Sequence, residues 1–160
     1  MLAASAYEIV LAIHIMAVVV AFGVTFAYPI MFAVAARHGP RSLPLMHRVE
    51  YTIERLLINP GLLVVLAAGI FLASDGHHWS EFYVQWGLAA VVVIGALVGG
   101  VMIPTAKRAE QLAERDLASS DGGEVAMSDD YRALVRRLTT VGTLMSVLVL
   151  VTILLMAIKP

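Results

Sequence analysis

Four long stretches free of charge constrain this chain more than any other feature. They are Ile9–Ala36, Leu56–Leu72, Phe82–Ile103 and Leu138–Ile158. About 20 consecutive apolar residues carry a helix across the hydrocarbon core of a bilayer. His14 and Thr25 are the clearest polar residues of the first stretch, Asn59 of the second and Gln85 of the third; the fourth holds threonines and one serine. Each must be a helix, because lipid cannot satisfy an open strand edge. The expectation is an all-α bundle of four transmembrane helices, forming one integral membrane domain over residues 1–160. Composition agrees. Sixty per cent of the 160 residues are apolar and only 14% are charged, against about 25% charged in soluble domains. That excludes a disordered chain and a soluble enzyme with a charged shell. There is no cysteine, which removes disulfides, thiolate metal sites and cysteine nucleophiles. A net charge of −1 makes no case for nucleic acid as a partner.

The residues before the first stretch, Met1 to Glu8, carry no Lys or Arg. The apolar run is also far longer than the core of a signal peptide, so a retained span is expected. Arg37, Arg41, Arg48 and Arg55 lie between spans one and two. Lys107, Arg108, Arg115, Arg132, Arg136 and Arg137 lie between spans three and four, and Lys159 stands alone at the far end. By the positive-inside rule both termini face outward and the two Arg-bearing loops face the cytoplasm. The setting expected is a bacterial cytoplasmic (inner) membrane.

Ser42-Leu43-Pro44 reads as a helix start with Ser42 as cap. From about residue 45, Leu45, Met46, Val49, Ile53, Leu56 and Leu57 recur at helical spacing, with His47, Arg48, Glu50, Glu54 and Arg55 opposite. This predicts an amphipathic helix on the cytoplasmic surface, leading into span two. Asn59-Pro60-Gly61 should kink or restart it, and Pro29 should bend span one. Ala106–Ala118 reads as a charged helical extension of span three into the cytoplasm. Ser119 to Gly123 breaks it, and Ser128-Asp129-Asp130 starts the last helix.

Helices in lipid associate through small residues and polar contacts. The predicted interior stripe of span one is His14, Ala17, Ala21, Thr25 and Tyr28. On span three Gly95 and Gly99, with Gln85, Ala89, Val92 and Ala96, make the expected packing face. On span four Thr139, Thr143 and Ser146 do. His14 lies six residues inside Glu8, roughly 9 Å below the start of the helix. Gln85 and Thr152 fall at similar depth, and Ala68 leaves a gap there. One polar layer of His14, Gln85 and Thr152 is therefore expected. An intramembrane histidine is either a neutral group hydrogen-bonded in the bundle, or a ligand or proton carrier. His77 and His78, in the outer loop, are adjacent and form a second candidate metal pair, although no further ligands stand at metal-site spacing. Trp79, Tyr83 and Trp86 read as an interfacial aromatic belt.

The run His14–Pro29 (HIMAVVVAFGVTFAYP), the Arg-rich turn and the Lys159-Pro160 ending resemble a bacterial family of predicted four-span integral membrane proteins without assigned activity. A weaker likeness reaches the HemJ-type protoporphyrinogen oxidases and the CopD-type copper-resistance membrane proteins, which place a histidine early in a first span, as His14 is here. In the HemJ-type enzymes that histidine is implicated in heme binding, so the resemblance makes heme b the candidate cofactor and His14 its candidate ligand. This chain has no second intramembrane histidine and no lysine in span three. A bis-His heme within one chain is thereby excluded, and Met156 is left as a second candidate ligand. The tryptophan common near that first-span glycine is absent around Gly23.

Two function classes follow. One is a small membrane subunit or scaffold whose partners are the bilayer and a second copy or another membrane protein. The other is a heme b or copper redox protein using His14. A transporter should show more polar residues at mid-depth or broken helices. No nucleotide-binding, kinase or hydrolase motif is present.

Overall fold

The computed structural model describes residues 5–120 and 125–159. The expected break at Asp121-Gly122-Gly123 and the final Pro160 lie outside them. Among the described residues seven α-helices form: α1 Ala6–Gly23, α2 Tyr28–His38, α3 Leu43–Ile53, α4 Asn59–Asp75, α5 Phe82–Leu97, α6 Ile103–Ala118 and α7 Asp129–Ile158. They join into four rods long and apolar enough to cross a membrane: Ala6–His38, Pro40–Asp75, Phe82–Ala118 and Asp129–Ile158. The shortest holds 30 residues, roughly 45 Å at 1.5 Å per residue, against a hydrocarbon core of about 30 Å. Each rod therefore outreaches the apolar layer, and the surplus carries the arginines.

The joints inside the rods have local causes. Pro60 and Pro104 have no N–H to donate. In both rods a π turn stands just ahead, Glu54–Ile58 and Val98–Met102, closed by bonds from Asn59 N–H to the Glu54 carbonyl and from Ile103 N–H to the Val98 carbonyl. In span one a 3-10 turn, Val24–Phe26, precedes Tyr28-Pro29. Ser128 caps α7 by accepting from the Tyr131 N–H. Ser42 makes no such cap for α3. Its hydroxyl donates instead to the carbonyls of Ala35 (2.6 Å) and Gly39 (2.8 Å), closing the end of α2.

Helix α1 lies along α4, α3 along α6, and α7 along both α5 and α6. The first seam is set by Gly61, where an added Cβ would stand 2.6 Å from Ala21 Cβ. Ala21 is fully buried, and the carbonyl of Ala17 lies at the same seam. The second is an alanine stripe on α6, Ala106, Ala109 and Ala113, all fully buried. Arg48 ties its outer edge, with Nε 2.7 Å from Glu110 Oε1.

The interior faces of spans three and four differ from expectation. Gln85, Ala89, Val92, Ala96 and Gly99 are all exposed; Tyr83, Ala90, Ile94 and Val98 are buried. A Cβ added at Gly95 or Gly99 would touch nothing within 4 Å, while Val98 is 1% exposed. On α7 the buried stripe is Tyr131, Leu138, Met145 and Val149, at spacings of seven and four, and Thr139 and Thr143 face outward. The reason is that lipid is as apolar as leucine, so hydrophobicity does not separate inside from outside. Polarity does not either, because a helix satisfies its own threonines: Thr143 Oγ1 donates to the Thr139 carbonyl at 2.8 Å.

The amphipathic lead-in is turned the other way from expectation. His47, Glu50 and Glu54 are 1%, 3% and 2% exposed, whereas Leu45 and Leu56 are 64% and 68% exposed. Leu45 and Leu56 face outward, and the buried polar face turns into the bundle, where His47 meets Tyr131 of α7.

Candidate functional site

Two places in the bundle gather polar chemistry. The first is a cavity of about 430 Å³ in the half away from the arginines, between α1, α4, α5 and α7. Its walls are mostly Leu, Ile, Val and Phe. His14, His78, Thr152 and Met156 line it, with Tyr7, Trp79, Tyr83 and Lys159. His14 is placed by the helical rise of α1 and held by one contact, Nδ1 3.1 Å from the Val65 carbonyl of α4. A carbonyl only accepts, so Nδ1 carries the hydrogen and Nε2 keeps its lone pair. Gly69 makes room: its Cβ position lies 3.4 Å from His14 Cε1. Gly87 does the same for the methyl of Met156, which would collide with a side chain there.

The three members of the expected polar layer take separate partners. His14 bonds Val65. Thr152 Oγ1 donates to the Leu148 carbonyl (2.8 Å) and accepts from Trp86 Nε1 (3.1 Å). Gln85 is exposed, its amide reaching the Trp79 carbonyl at 3.3 Å. The cavity thus brings His14 and Thr152 to one space but leaves Gln85 outside its lining. Met156 belongs to that lining, and so does His78 but not His77. The backbone of His77 instead closes a helix: at φ 56° it takes the left-handed position that ends α4. Its N–H bonds the Ser74 carbonyl, and that of His78 bonds Ala73 (2.9 Å), the paired closure of a Schellman end. Among the described residues no three His, Asp or Glu side chains are placed to hold a metal ion.

The second place lies in the arginine-rich half, where α2, α3 and α7 converge. His47 Nδ1 is 3.2 Å from Glu50 Oε2, and its Nε2 is 3.0 Å from the Tyr131 hydroxyl. The ring of Phe32 packs on the imidazole, centroids 4.9 Å apart. Glu54 follows one turn after Glu50. Tyr28 lies within electrostatic reach of both carboxylates. Neither Glu54 Oε2 nor the Tyr28 hydroxyl has a hydrogen-bond partner among the described residues. From the sequence, His47, Glu50 and Glu54 were expected on a solvated face. Their i, i+3, i+7 spacing, which sets all three on one helix face, was the available signal.

Beyond this cluster, in the stem of α6, Asp116 accepts from the Ser128 N–H at 2.8 Å and from Arg115 Nη2 at 3.3 Å. Burial acts to raise its pKa, but the hydrogen bonds from Ser128 and the Arg115 charge outweigh it and hold the carboxyl below its usual value.

A family described as predicted integral membrane proteins, DUF2269, matches residues 8–160. The chain belongs to that family. Apart from Ala6 and Tyr7 the match takes in both polar sites and all four rods, so the DUF2269 description and the four-rod architecture agree. No curated protein and no solved structure matches the chain.

Proposed function

We propose that this DUF2269 member is a small heme b-binding membrane protein of the bacterial cytoplasmic membrane, in which His14 would hold the heme iron and the cavity opens outward. The observation that carries the reading is the pinned imidazole. With Nδ1–H committed to the Val65 carbonyl, the remaining nitrogen is the one a metal takes, and a backbone carbonyl behind a ligating histidine sets ring orientation and basicity. The other residues suit the group. The cavity walls are apolar, Met156 brings a thioether to the same space, and Lys159 supplies a cation for a ligand carboxylate. Bound heme would supply one-electron chemistry. This chain's own part is to hold and orient the ring and keep its surroundings dry.

A membrane subunit without chemistry is the second reading. The outer faces of α1 and α7, which are the least covered of the four rods, favour it. The absorption spectrum of the purified full chain tests between them. A Soret band that His14→Ala abolishes, with the helical content retained, supports the heme reading. A clean spectrum with no bound metal removes it and leaves the subunit.

A further inference from the structure

The buried cluster around Glu54 is used by neither reading above. Two carboxylates, Glu50 and Glu54, stand one helical turn apart, 3% and 2% exposed. Residues at i and i+4 lie about 5–6 Å apart at Cβ. Two buried anions at that separation, without a cation, are too costly to persist. The neighbouring arginines do not neutralise them. Arg48 is turned out to Glu110 and Glu114, and Arg55 to the Tyr51 hydroxyl. From α2 the cluster meets Tyr28. From α7 it meets Tyr131, and on the stem of α6 Glu110 is paired with Arg48 and Asp116 is held by Ser128 and Arg115. On α3 itself His47 reaches Glu50 and leaves Glu54 alone. Two polar atoms are orphaned: Glu54 Oε2, and the hydroxyl of Tyr28, which is 9% exposed. Something must supply positive charge here. No three ligand side chains converge for a metal ion among the described residues, and a proton needs only one oxygen.

We infer that Glu54 and Glu50, framed by His47, Tyr28 and Tyr131, form a proton-binding site within the arginine-rich half of the bundle, with the proton itself as ligand. A protonated Glu54 removes the like-charge pair. Its O–H becomes a donor while its second oxygen remains an acceptor. Glu50, His47 and Tyr131 already form a hydrogen-bonded chain. Its Glu50 end stands one helical turn from Glu54, and its Tyr131 end lies at the start of α7. Imidazole suits the middle of such a chain, since it accepts a proton at one nitrogen and gives one up at the other.

Infrared spectroscopy of the full chain in lipid nanodiscs tests the site. The expected result is a carbonyl band of a protonated carboxylic acid at neutral pH. It should shift in D2O, disappear reversibly as the pH is raised, and be lost in Glu54→Gln. Glu114→Gln, at an exposed acid, should leave it in place. Should Glu54→Gln fail to fold, Glu54→Asp keeps the acid and should move the band without abolishing it. Absence of the band from mildly acid to mildly alkaline pH overturns the proposal. So does a band indifferent to changes at both Glu54 and Glu50, or binding of sodium or calcium that Glu54→Gln abolishes while no acid band is found.

Discussion

His47 on α3 and Tyr131 on α7 are 84 positions apart in sequence, and their polar atoms meet at 3.0 Å in the interior. This bond joins the second rod to the fourth in the half that carries the arginines. Tyr131→Phe removes the hydroxyl and leaves His47 Nε2 buried without a partner. The expected loss is about 1–3 kcal/mol, measured by reversible unfolding of the chain in detergent. A double-mutant cycle with His47→Phe should show coupling of about 0.5 kcal/mol or more. Strict additivity would mean the contact contributes nothing.

Packing makes a second test. Gly61→Ala drives a methyl into Ala21 and should cost about 1–3 kcal/mol as overpacking. Val98→Ala, at a position 1% exposed, should cost a similar amount by emptying part of the core. Gly99→Leu meets open space and should change stability by less than about 0.5 kcal/mol. A Gly99→Leu protein as unstable as Gly61→Ala would show that span three packs by the other face.

The left-handed residue at the end of α4 makes a third. A side chain at φ 56° is strained by about 1–2 kcal/mol, and glycine returns part of that as chain entropy in the unfolded state. His77→Gly should therefore raise stability by about 0.5–1 kcal/mol in a thermal melt. His78→Gly should not. A destabilised His77→Gly protein would assign the imidazole a contact of its own.

Asp116 sets a pH dependence. Its folded pKa is depressed by Ser128 and Arg115. The stability it contributes is present above the unfolded carboxyl value, 3.8, and is lost as pH falls through the lower folded value. Asp116→Asn should flatten the acid limb of the stability curve in that range and leave the neutral-to-alkaline limb unchanged. An acid limb identical to the wild type would remove this role.

Orientation is the fifth. Reporter fusions after Arg41 and after Asp121 should read cytoplasmic, and one after Gly76 external. An external signal from the Asp121 fusion would reverse the assignment and put the His14 cavity on the cytoplasmic side.

The four rods were legible in the sequence because length and unbroken apolarity are one-dimensional properties, and the cost of burying charge in lipid enforces both. The cap at Ser128, the joints at Pro29 and Pro60 and the extension of span three were legible for similar local reasons. Which side of each rod faces inward was decided only by tertiary structure. In water an apolar stripe marks the core, but in lipid the solvent is apolar too, so Gly99 and Val98 are indistinguishable until a neighbour packs against one of them. The lead-in to span two was inverted as well: read as a surface helix it hides leucines, whereas in the bundle it hides Glu50 and Glu54. His14 announced itself as a lone polar group in an apolar run. Its carbonyl partner on α4, the cavity it shares with Met156, and the meeting of His47 with Tyr131 arise only when distant segments are brought together, and no spacing along the chain encodes them.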